Sequence, residues 1–135
     1  MHARPADDHF KDRIRNWVKL LSQKRFEDAI KLLAPSPFSD IDTVEEIKIC
    51  IGLYNRHFVP EYEAGRIIES LIPGVSDPFA MALEGEQFRF HDDEDGIYVL
   101  YELPLDGEWS DLSAEFQFIP SGGEYIMALL QIHVL

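Results

Sequence analysis

The chain has one cysteine, Cys50, among its 135 residues. A disulfide within the chain is therefore excluded, and a thiolate metal site lacks its second ligand. Cys50 lies among Ile47, Ile49, Ile51 and Leu53, so it reads as a small buried apolar residue. Long apolar runs are missing too. No stretch nears the roughly 18 apolar residues of a bilayer-spanning helix, and the opening Met1 to Asp8 has no apolar run of a secretory signal. Both absences predict a cytoplasmic chain with no membrane partner. Basic residues are scarce after the first quarter: residues 1–34 carry eight Lys/Arg against five Asp/Glu, and the remainder four against twenty. A domain of that sign repels phosphate backbones, which argues against nucleic acid and is compatible with a basic protein partner. Glycines occur at turns and in no phosphate-cradling pattern, no nucleophile stands at a recognisable elbow, and no cofactor or metal is expected.

What is present describes one globular domain. Apolar residues make up 46% and charged residues 27%, ordinary proportions for a folded chain of this length. After Asp7 or Asp8, which can cap a helix, Phe10, Ile14, Trp17, Val18 and Leu21 recur on one helical face. Lys24-Arg25 separates this helix from a short second one, with Phe26, Ala29, Ile30 and Leu33 on one side and Pro35 and Pro37 ending it. Thr43-Val44-Glu45-Glu46 fits a capping box, and a third helix follows as far as Pro60, with apolar residues around much of its circumference.

From Glu86 onward the period changes to two. Acidic Asp92 to Gly96, Asp106-Gly107 and Ser121-Gly122-Gly123 interrupt it with turn chemistry. Four meandering strands are predicted, at about 86–91, 97–104, 108–119 and 124–134. The fold class is thus α+β, with N-terminal helices on one face of a curved antiparallel sheet. A two-residue turn at Asp106-Gly107 pairs Tyr101 with Leu112. A three-residue turn at 121–123 pairs Phe118 with Ile126 and Asp111 with His133. In this register Trp109, Tyr125, Met127 and Leu129 share the face away from the helices, and Glu102, Asp111 and His133 form a polar row across it.

Two helices with Lys24-Arg25-Phe26-Glu27-Asp28-Ala29 between them, more helix, then long hairpins to the C-terminus: this order resembles the nuclear transport factor 2-like superfamily. The resemblance is architectural, and Trp17 to Leu33 is its only local similarity. It implies a cone whose bent sheet wraps the helices around a pocket. Trp17, Tyr54, His57 and Tyr101 are the pocket candidates. Catalytic members place an acid/base dyad inside, and no inward carboxylate is expected here.

Two other patterns have bland readings. His91 to Glu102 approaches a calcium loop with Asp93, Asp95, Gly96 and Glu102, but strands flank it where an EF-hand needs helices. It reads as a solvated hairpin tip. His57, Glu61 and Glu63 lack a second nearby histidine and read as a helix end. The expected function is non-catalytic binding of a small apolar ligand or a protein. A homodimer through Trp109, Tyr125, Met127 and Leu129 accompanies it, since aromatic residues and Met favour interface cores. Acidic inhibition of a basic toxin or nuclease, and a pocket lyase or isomerase, are the alternatives.

Overall fold

The computed structural model describes residues 7–35, 39, 41, 43–54 and 72–134. Among these residues three α-helices, α1 (Asp7–Ser22), α2 (Phe26–Lys31) and α3 (Val44–Gly52), precede four strands, β1 (Phe88–Asp93), β2 (Gly96–Leu105), β3 (Glu108–Ser121) and β4 (Glu124–Val134). The strands form one antiparallel sheet in the order β1-β2-β3-β4, so the chain has the expected α+β meander. Among the described residues no helix is long and apolar enough to cross a membrane.

The five apolar residues spaced along α1 are its five buried ones, Phe10, Ile14, Trp17, Val18 and Leu21. They meet the sheet through Phe10 against Phe118 and Trp17 edge-on to Phe116. Each such Phe ring, removed from water, contributes about 2–3 kcal/mol. The Trp17 indole N–H donates to the Ala29 carbonyl at 3.0 Å, which ties α1 to α2 and satisfies the one polar atom that burial of the ring would orphan. At α3 the Thr43 hydroxyl accepts from the Glu46 backbone N–H at 3.1 Å and donates to the Glu46 carboxylate at 2.9 Å. The described helix ends at Gly52, short of the expected Pro60, and Leu53 and Tyr54 beyond it are exposed.

The hairpin registers depart from the simple count in two ways. Beside the Asp106-Gly107 turn, Leu105 faces Glu108 and Pro104 faces Trp109, as a two-residue turn requires. Then three residues of β3, 110–112, face Leu103 alone, and Tyr101 pairs with Ala114 where Leu112 was expected. The irregularity sits beside Pro104, which has no N–H for the ladder. Because it adds two residues, both strands keep their faces.

The last hairpin turns on Gly122 and Gly123 alone, at φ +59° and +85°, and Ser121 pairs with Glu124. Two consecutive left-handed positions make the tight turn that suits strand twist, and glycine reaches them without strain. Phe118 therefore faces Met127 and Phe116 faces Leu129. A bulge at Leu130 restores the original parity, so Ala114 faces Ile132 and Ser113 faces His133. Met127 and Leu129 are consequently core residues, while Ile126 is exposed. Trp109 and Tyr125 pack against that core. The four residues expected to form an apolar patch on the outer face therefore do not form one there.

Candidate functional site

Of the pocket candidates, Trp17 and Tyr101 lie fully buried between helices and sheet. Tyr101 packs against Phe88 with ring centres 4.5 Å apart and planes tilted by 37°, and meets Trp109 edge-on. Tyr54 does not join them: its hydroxyl reaches Asp111 at 2.6 Å on the surface, and that bond is the main reason its phenol titrates above the usual range. His57 lies outside the described residues.

An inward carboxylate does exist, and it is Glu86. Its side chain is 6% exposed. Arg15 of α1 donates to it from Nε at 3.2 and 3.1 Å and from Nη2 at 2.6 Å, and the Tyr101 hydroxyl donates at 3.0 Å. Glu86 follows the 3-10 turn Leu83–Gly85 and shares the even-numbered face of Phe88 and Phe90. Burial pushes the Tyr101 phenol far above its usual range, and the Glu86 charge adds to the push. The hydrogen bond to Glu86 raises the Arg15 guanidinium against the opposite effect of burial. Both carboxylate oxygens are thus engaged, and the group ties α1 to β2.

The expected polar row is also rearranged. Asp111 falls in the β3 irregularity, so the residues aligned across the outer face are Glu102, Ser113 and His133. Ser113 is buried, and the His133 Nδ1 is a buried atom with no hydrogen-bond partner. Among the described residues no group of three or more His, Cys, Asp or Glu is placed to hold a metal ion.

The outer face does contain a groove. Antiparallel register sets Arg89, Leu100, Glu115 and Gln131 in one row across the four strands, and His91, Tyr98, Gln117 and Ala128 in the next. Around Arg89, Leu100 and Glu115 of the first row and His91 and Tyr98 of the second the surface sinks into a groove of about 310 Å³, with Phe90 at its edge and Asp93 at its hairpin end. Tyr98 and Leu100 are at its centre. Buried Gln117 donates to the Tyr98 hydroxyl at 3.2 Å and to the Asp95 carbonyl at 3.1 Å, which fixes the ring and the hairpin tip together. Desolvation raises the Tyr98 phenol above its usual range, and the charges of Asp95, Asp93 and Glu115 raise it further. Glu115 accepts from Gln131 at 3.0 Å through one oxygen. A smaller cavity, about 140 Å³, lies between α1, α2 and residues 72–75.

In the sequence, Tyr98 and Leu100 alternate with Ile97, Val99 and Tyr101, which puts them on the face away from the helices. Glu115 alternates with Ala114, Phe116 and Phe118 and falls on the same face. No family model matches the chain, and no curated protein or solved structure matches it significantly. The resemblance to the nuclear transport factor 2-like superfamily therefore gains no support from these comparisons.

Proposed function

We propose that the chain is a non-catalytic binding domain whose ligand sits on the outer face of the sheet, in the groove floored by Tyr98 and Leu100. One observation carries this reading. The outer side of the sheet has an open concavity of about 310 Å³, floored by Tyr98 and Leu100 with Arg89, His91 and Glu115 converging on it, whereas Trp17, Tyr101, Phe116 and Phe118 on the helical side are fully buried. That volume is at the small end for ligand sites, and apolar floors with a few fixed polar groups are their usual construction. A chemical-shift titration of the isotope-labelled full chain with a library of soluble fragments tests it. Shifts should concentrate on amides 89–91, 98–100 and 115–117, and Tyr98→Ala should abolish them. Shifts centred on the helical side, or none at millimolar fragment, would overturn the reading.

The charge distribution favours a second reading, in which this acidic domain masks a basic protein. Residues 35–135 carry twenty acidic side chains against four basic ones. Association with the product of a neighbouring reading frame that weakens steadily with added salt would support it. Association indifferent to salt, or none, would not.

A further inference from the structure

The groove has a polarity that follows from the register. Its β1 wall carries Arg89, His91 and Asp93, its β2 floor Leu100 and Tyr98, and its β3 wall Glu115. Neighbouring strands are about 4.8 Å apart, so the Arg89 and Glu115 backbones stand about 10 Å apart with Leu100 between them. Among the described residues no ion pair joins Arg89 to Glu115. Cation and anion therefore face each other across an apolar strip without contact. Glu115 uses one oxygen for Gln131, and its other oxygen is the acceptor a ligand ammonium would take. Arg89 offers a planar fork of donors suited to a carboxylate.

Taking the outer groove as the binding site, we propose that its ligand is a dipeptide-sized zwitterion with apolar side chains. The ligand carboxylate pairs with Arg89, its ammonium with Glu115, and its side chains lie on Leu100 and the face of Tyr98. A simple cation leaves Arg89 opposed by like charge, and a simple anion does the same to Glu115 and Asp93. A purely apolar molecule buries both walls unpaired, a desolvation cost without return. Only a ligand with both signs satisfies both walls. The two walls stand two strand spacings apart, and charges separated by one peptide unit span more of that distance than charges on a single α-carbon.

The test is calorimetric and spectroscopic titration of the full chain with leucyl-phenylalanine, its N-acetyl form and its C-terminal amide. The dipeptide should shift amides 89–91, 98–100 and 115–117, and losing either terminal charge should weaken binding about tenfold. Arg89→Gln should weaken the dipeptide and make the amide no worse than the acid. Glu115→Gln should do the same for the N-acetyl form. If all three ligands bind equally in the groove, or only one charge matters, the zwitterion assignment is wrong while the groove reading stands. If the dipeptide shifts nothing, the zwitterion assignment falls, and the fragment titration decides separately on the groove.

Discussion

Glu86→Ala is the substitution whose cost the structure defines best. It removes the acceptor of the Tyr101 hydroxyl, on a side chain with no exposed surface, and of two Arg15 nitrogens. A buried hydroxyl left unpaired costs about 1–3 kcal/mol. Breaking a fully buried ion pair costs about 3–5 kcal/mol, but the Arg15 side chain is 18% exposed and already bonds Asp12 at 2.9 Å, so water and Asp12 recover much of that. Exposed pairs are worth about 1 kcal/mol or less. The sum is about 3 kcal/mol, or roughly 10 °C in melting temperature for a domain of this length. Urea denaturation followed by tryptophan fluorescence reads it, since Trp17 is buried when folded. Arg15→Met should cost less than Glu86→Ala, because it leaves Tyr101 its partner. In a double-mutant cycle the pair should couple by about 1–2 kcal/mol, and Arg15→Met with Glu86→Leu should recover the ion-pair share of the loss but not the share due to the unpaired Tyr101 hydroxyl. A Glu86→Ala cost below about 0.5 kcal/mol, with no coupling to Arg15, would refute the argument that this network locks α1 to the sheet.

Alkaline stability gives a separate test. The folded Tyr101 phenol lies above its unfolded value, near pH 10, so its contribution is complete below about pH 10 and is lost as pH rises beyond it, by up to about 1.4 kcal/mol per pH unit. Tyr54 and Tyr98 shift in the same direction. Tyr101→Phe should flatten the fall in stability above pH 10 by up to one proton, and an unchanged slope would count against a protonated, buried Tyr101. Gly85→Ala should cost about 1–3 kcal/mol, because a Cβ there overlaps the Trp109 ring, whose N–H bonds the Ala82 carbonyl at 2.9 Å. A red shift in tryptophan emission should accompany the loss, and unaltered emission and stability would show that the ring moves freely.

The helices were legible because α1 carries its core residues at one clean spacing and its Trp17 needs only local chain to satisfy the indole. The sheet was legible as alternation, and the strand limits followed from Asp92 to Gly96, Asp106-Gly107 and the final glycines. The turn at 121–123 was ambiguous because Ser121 is as good a turn residue as a strand end. Even-numbered Ile126, Ala128, Leu130, Ile132 and Val134 argued for a three-residue loop, while Met127 and Leu129 offered an equally apolar odd-numbered set. Packing against α1 decided between them, and that is tertiary information. Glu86 was hidden differently. Its parity with Phe88 and Phe90 pointed inward, but only the position of Arg15 on a separate element makes a buried carboxylate tolerable there. The outer groove depends on which β1 and β3 residues flank Tyr98 and Leu100, and the β3 irregularity changes that by two residues.

The Gly122-Gly123 turn and the Leu130 bulge act like paired frameshifts in a message. The first sets β4 one residue out of frame, the second returns it, and only the stretch between them is read in the altered frame. Lengthening the turn by one residue would rotate Met127 and Leu129 outward, and deleting Leu130 would do the same to Ile132. Made together, the two changes cancel for everything beyond the bulge. Chain length in this hairpin is therefore free to vary only in compensating pairs, and a lone insertion or deletion at either place should be far more damaging than any single substitution beside it.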